Sequence, residues 1–171
     1  MPSFPNKSLA NAVTLCNIVF GSLSLVYTLD QQFGLAAIFI LIAAVLDGLD
    51  GRIARRLDIM SPLGKELDSL CDMVSFGVAP ALLIYAQVLI NYTYSLGLIT
   101  ALLYIVCGAY RLARFNVLDI SGYFLGIPIT LAGTFLALLA LFAAYLPAHL
   151  ILALLLLMAI MMVSNIKIPK L

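Results

Sequence analysis

Apolar residues in this chain run in long stretches without charge instead of alternating with polar ones. Ser8 to Leu29 carries no charged side chain, and neither does Gln31 to Leu46. Met73 to Tyr110 continues uncharged for 38 residues and Ile120 to Ile166 for 47. Both of these are too long for one membrane crossing of about 20 residues, and both are interrupted near the middle. Asn91-Tyr92-Thr93-Tyr94 divides the first. Leu146-Pro147-Ala148-His149 divides the second, because proline disfavours helix at the residue before it. The pattern predicts six helices, at about 8–29, 33–57, 66–90, 95–117, 126–146 and 148–165. The expected fold is all-α: one domain, 1–171, forming a polytopic integral membrane protein of six transmembrane helices. No cleavable signal sequence is expected. Lys7 alone precedes the first apolar run, and that run is span-length.

Composition supports the same class. Of 171 residues 64% are hydrophobic and 10% charged, with a mean hydropathy of +1.16. A soluble domain carries about a quarter charged residues, so there is too little polar side chain here to cover a water-exposed surface. A net charge of +1 leaves no basic footprint for nucleic acid. One histidine and three scattered cysteines exclude a His/Cys zinc cluster. Cys16, Cys71 and Cys107 read as small buried hydrophobes.

Charge also sets the orientation. The nine basic residues, Lys7, Arg52, Arg55, Arg56, Lys65, Arg111, Arg114, Lys167 and Lys170, all fall on one side of the six-span scheme. The opposite loops, around 30–32, 91–94 and 147–149, hold none. The positive-inside rule makes the charged side and both termini cytoplasmic, in a multi-pass protein of the cell membrane.

Seven of the eight acidic residues lie on that same side. Asp47 and Asp50 share a face of the second helix, and Asp68 and Asp72 share a face of the third. The helical rise brings both pairs to one depth, in the cytoplasmic third of the bilayer. Four carboxylates facing one cavity repel each other and are costly to desolvate unless neutralised. Oxygen-only ligands suit hard divalent cations such as Mg²⁺ or Mn²⁺, and a pair of such ions can clamp a phosphoryl displacement. The plainer alternative is a structural network of these carboxylates with Arg52, Arg55, Arg111 and Arg114.

Residues 47–72 read DGLDGRIARRLDIMSPLGKELDSLCD. They resemble, position for position, the signature D-x2-D-G-x2-A-R-x8-G-x3-D-x3-D of the CDP-alcohol phosphatidyltransferases. Asp47, Asp50, Gly51, Ala54, Arg55, Gly64, Asp68 and Asp72 fill its fixed positions. The resemblance implies a six-helix membrane protein, usually a homodimer, with its active-site cavity at the cytoplasmic face. It implies that Asp47, Asp50, Asp68 and Asp72 hold two divalent cations, Mg or Mn, against the pyrophosphate of a CDP-lipid. Asp72 would be the general base that takes the proton of the attacking alcohol. Gly51, Arg55, Ser61, Gly64 and Thr14 would contact the CDP-lipid. Ser61 also reads as a turn cap, and Gly64 as an ordinary loop glycine after Pro62.

The rest of the chain narrows the acceptor. Ser75-Phe76-Gly77-Val78-Ala79-Pro80, Arg111-Leu112-Ala113-Arg114-Phe115-Asn116, and the recurrence of Asn11, Thr14, Asn17 and Gly21 resemble the phosphatidylserine synthase branch. The partners implied are a CDP-diacylglycerol-type lipid and L-serine. Arg111 and Arg114 reach the level of the carboxylates and suit an anionic acceptor, which fits a serine carboxylate or the phosphate of glycerol 3-phosphate or inositol phosphate. Ser75 and Asn116 would complete the acceptor site; ordinary hydrogen bonding between membrane helices is their alternative reading. A cation transporter would use the acids as an ion site, but such sites sit near the midplane between repeated halves. Here the acids collect at one interface, and no internal repeat is found.

Overall fold

The computed structural model describes the backbone of residues 4–57, 62–117, 123–165 and 167–169, and these form an all-α bundle with one short strand pair. Helix α1 spans Phe4–Leu29 and α2 Phe33–Leu57. Between them Gln31 takes a positive φ of 59°, and the Gln32 amide returns to the Tyr27 carbonyl at 2.8 Å. This tight reversal lays α2 along α1, the most extensive helix pairing among the described residues. Phe39 stacks on Phe20 and Tyr27 across that seam, with centroids 6.0 and 5.1 Å away.

The third rod, α3, covers 62–92 and is not a uniform helix. Regular α-helix Pro62–Asp72 leads into a π-helical turn, Met73–Val78. Ala79–Ile84 is α-helical again, Tyr85–Leu89 forms a second π-helical turn, and Ile90–Tyr92 ends the rod. Thr93, at φ −150° and ψ 89°, is a one-residue break before α4, Tyr94–Val117. Helix α5 is Ile129–Leu141, followed by a 3₁₀ turn, Ala143–Tyr145, and α6 is Ala148–Val163.

Helix α5 is shorter than the pattern predicted at both ends. Gly126 sits at φ +72°, where a Cβ would come within 2.5 Å of the Met162 carbonyl oxygen. Ile127 then donates its amide to the Met161 carbonyl at 3.2 Å. The chain approaching α5 is therefore pressed against the end of α6, and helix begins only after Pro128. At the far end Phe142 leaves helical geometry ahead of Pro147. The strands β1, Tyr123–Leu125, and β2, Lys167–Pro169, pair antiparallel with Phe124 opposite Ile168. No sequence pattern announced them.

The core gathers around the first π-turn. Phe76, Tyr104, Leu83, Ile84, Ile129 and Leu136 are all fully buried. Gly133 of α5 meets the π-turn so closely that a Cβ there would lie 2.7 Å from the Phe76 Cα. The outer surface is apolar as well: Val45, Val106, Leu131 and Ile160 are each more than half exposed. Leu63–Tyr92 and Ser95–Val117 are long and apolar enough to cross a membrane, and among the described residues Thr14–Leu29, Phe33–Leu49, Ile129–Leu141 and Ala148–Val163 are shorter apolar helical stretches.

Candidate active site

Asp47 projects from α2, and Asp68 and Asp72 from the regular first part of α3. The four-residue interval stacks Asp68 and Asp72 on one helix face. One carboxylate oxygen from each of the three lies within 4.8 Å of the others. Asp72 is 7% exposed, and Asp47 and Asp68 are half-buried. Backbone contact between α2 and α3 is closer at Ala79–Ile84 than at Pro62–Asp72. The carboxylates thus meet where the two helices draw apart. Three anions this close are mutually repulsive and partly desolvated, and an all-oxygen donor set of this kind fits a hard divalent cation.

The π-turn directly after Asp72 is fastened on three sides. Tyr104 Oη donates to the Phe76 carbonyl at 3.0 Å from α4. Ser75 Oγ donates to the Asn17 carbonyl at 3.1 Å on α1. Gly133 closes the side toward α5, and Gly21 lets α1 approach so near that a Cβ would sit 2.8 Å from the Ser75 Cα. A π-turn inserts one residue into the helical register, which turns everything before it by about 100° relative to everything after. These fastenings therefore set the direction in which Asp68 and Asp72 point.

The C-terminal end of α4 carries the cations. Arg111 is 8% exposed, within electrostatic reach of Asp72 and Arg114, and its guanidinium lies 5.5 Å from the Phe115 ring centroid. Arg114 turns toward α6. It donates to Asn165 Oδ1 at 3.1 Å, to the Ser164 carbonyl at 3.2 Å and to the Val163 carbonyl at 3.4 Å. It satisfies carbonyl groups that the helix end leaves open. Asn116 donates to Ser69 Oγ at 3.0 Å and accepts from Lys65 Nζ through its carbonyl at 3.3 Å, tying α4 to α3.

Of the residues anticipated from sequence, Asp47, Asp68, Asp72 and Arg111 come together. Ser75, Asn116 and Arg114 are engaged in contacts between helices, with Ser75 fully enclosed. Thr14 is buried on α1, and Gly64 is half-buried one turn before Asp68. Asp50, Gly51 and Arg55 lie on α2 with side chains outside the described residues, and Ser61 is outside them altogether. Two residues given no role from sequence stand beside the site. Tyr104 has its only polar atom on the π-turn, and Asn17 is a fully buried amide in an apolar run. The signal available for both was a polar group where the period calls for a lipid- or core-facing apolar residue.

The sequence model of the CDP-alcohol phosphatidyltransferase family matches residues 7–166. A CDP-diacylglycerol--serine O-phosphatidyltransferase of Methanocaldococcus jannaschii is 41% identical over 164 residues, covering 95% of this chain and 74% of the relative. A protein of the same name from Helicobacter pylori strain 26695 is 36% identical over 179 residues, covering 99% of this chain and 75% of its own length. Another from Bacillus subtilis is 38% identical over 129 residues, covering 75% and 72%. The family match takes in both helices that carry the carboxylates, and the chain belongs to the CDP-alcohol phosphatidyltransferase family.

Proposed function

We propose that this chain is a multi-pass membrane enzyme that transfers the phosphatidyl group of a CDP-diacylglycerol-type lipid to the hydroxyl of L-serine, giving phosphatidylserine and CMP. The observation that carries the reading is the convergence of Asp47, Asp68 and Asp72 from two helices, together with relatives that bear a serine transferase name along most of their length.

In this reading Asp47, Asp68 and Asp72, with Asp50, hold two divalent cations, Mg²⁺ or Mn²⁺. When bound, such ions offset the charge of the pyrophosphate and lower the pKa of an alcohol beside it. Asp72 accepts the proton as the serine oxygen forms its bond to phosphorus. The bond from phosphorus to the CMP oxygen breaks, and CMP leaves with that electron pair. Arg111, beside Asp72, attracts the acceptor's carboxylate. Gly51, Arg55, Ser61, Gly64 and Thr14 belong to the CDP-lipid end of the site. Arg114, Ser75 and Asn116 fix the helices that frame it.

The apolar outer surface supports a six-span protein in the cell membrane, because large exposed apolar faces mark membrane or protein contact. The basic residues put the termini and the site on the cytoplasmic side. A homodimer belongs to the same proposal, and sedimentation in detergent tests it.

The direct experiment is CMP release by the purified protein with CDP-diacylglycerol and Mg²⁺ or Mn²⁺, comparing L-serine, glycerol 3-phosphate and inositol phosphate. Release that requires both a divalent cation and serine is expected. Release with glycerol 3-phosphate and none with serine would contradict the acceptor, and no release with any alcohol would contradict the enzyme.

A further inference from the structure

Lys65 stands on the same face of α3 as Asp68 and Asp72, three and seven residues before them. Helix rise puts it about 4.5 Å from the level of Asp68 and about 10 Å from that of Asp72, toward the start of the rod. Lys65 is exposed there, whereas Asp68 is half-buried and Asp72 is buried. This face therefore leads from solvent to the carboxylates, and it ends before the packed core around the π-turn. A water-soluble molecule that reaches Asp72 along it meets Lys65 first. Exposed Glu66, the next residue, is turned to the Asn116 amide, 3.5 Å away.

Two cations from different helices gather about one ring at this end. Lys65 Nζ lies 5.9 Å from the Phe115 centroid, and the Arg111 guanidinium lies 5.5 Å from the same point. Arg111 is the buried member of the pair and the one within electrostatic reach of Asp72. The Phe115 ring between them is 43% exposed, so the edge they share is open to solvent. The Lys65 ammonium meets the Asn116 carbonyl at 3.3 Å. An ammonium has three donors, and that carbonyl uses one. The acids give this edge a purpose, because a free carboxylate approaching Asp47, Asp68 and Asp72 is repelled by like charge. A cation at the mouth offsets that repulsion and concentrates an anionic acceptor there.

We infer that Lys65 is a specificity-determining residue, which takes the carboxylate of the amino-acid acceptor at the exposed edge of the site and passes it to Arg111. The inference rests on the serine-transfer reading above, and one experiment separates the two. Lys65→Met removes the charge and keeps an unbranched stem, while Lys65→Arg keeps the charge. CMP release by the parent and both variants is measured with L-serine and CDP-diacylglycerol varied in turn, at low and at high salt. Thermal unfolding in detergent is followed on the same preparations.

The KM for serine is expected to rise about three- to tenfold in Lys65→Met, with kcat and the KM for CDP-diacylglycerol within about twofold of the parent. Lys65→Arg keeps the serine KM within about twofold. High salt narrows the gap between the parent and Lys65→Met, because an exposed charge is screened. The unfolding midpoint stays level, as it does for most surface substitutions. A parent that releases no CMP with serine refutes the functional reading itself. A parent that uses serine, with Lys65→Met keeping its serine KM, refutes the role of Lys65 alone. A lowered midpoint with both KM values raised also refutes it, because Lys65 would then serve only to tie α3 to α4. A rise confined to the KM for CDP-diacylglycerol refutes it as well, since the ammonium would then be meeting the lipid's phosphates.

Discussion

The Tyr104 hydroxyl donates to the Phe76 carbonyl at 3.0 Å, joining the middle of α4 to the π-helical turn that follows Asp72. Both residues are fully buried. Without that donor the carbonyl is left in an apolar core, and the turn loses one of the contacts that fix its register. Tyr104→Phe is expected to cost about 1–2 kcal/mol of stability. It is also expected to lower kcat by about tenfold through misplacement of Asp72, with the KM for CDP-diacylglycerol unchanged. Thermal unfolding and CMP release measure the two effects, and an unaltered kcat would disconnect the turn from catalysis.

Two glycines give a paired test of the packing. A Cβ at Gly133 would meet the Phe76 backbone at 2.7 Å, while at Gly34 nothing lies within 4 Å. Gly133→Ala should destabilise by about 1–3 kcal/mol through overpacking against backbone that has no rotamer to yield. Gly34→Ala should be neutral, or stabilising by up to about 1 kcal/mol. Unfolding midpoints in detergent check both.

Charge-free runs and their interruptions located the helices well, because a helix of apolar residues between polar breaks has few other ways to satisfy its backbone. The expected 33–57 is the observed Phe33–Leu57, and 95–117 differs from Tyr94–Val117 by one residue. What the pattern could not convey was geometry set by distant partners. Residues 73–78 have the same apolar character in a π-turn as in an α-helix, and the contacts from Asn17, Tyr104 and Gly133 that hold the turn come from three other helices. The start of α5 moved because Gly126 packs on the end of α6, a contact across 36 residues of chain. In the site, the spacing of Asp68 and Asp72 and the depth of Asp47 were legible, since both follow from helical rise. The destinations of Ser75, Asn116 and Arg114 were not, because one polar residue on an apolar helix serves a ligand or a neighbouring helix equally well.

Arg111 and Arg114 look alike in sequence and differ in surroundings. Arg114 spans three groups at the end of α6, which a lysine cannot match because its single ammonium replaces a planar fork. Arg114→Lys should lower stability by about 1–2 kcal/mol with little change in the KM for serine. In the proposed function, Arg111→Lys should raise that KM by about tenfold or more, since a planar fork able to pair bidentately with the acceptor carboxylate becomes a point charge. The reverse pattern in steady-state kinetics and unfolding would exchange the two assignments.

Removal of divalent cations should abolish CMP release, and return of Mg²⁺ or Mn²⁺ should restore it. Asp47→Asn and Asp68→Asn each subtract a charged oxygen donor from the cluster. The cation concentration for half-maximal rate should rise at least about tenfold in either variant. Full activity in the presence of excess chelator would remove the metal from the account.

The most direct test of a catalytic centre at Asp47, Asp68 and Asp72 is serine-dependent CMP release by Asp72→Asn beside the parent, with CDP-diacylglycerol binding measured on the same preparations. Asparagine keeps the size of the side chain and cannot take up the alcohol's proton. The predicted result is a loss of turnover of about 10²–10⁴-fold with binding of the CDP-lipid largely kept. Turnover within about twofold of the parent would contradict the role of Asp72 as base and the active site built around it.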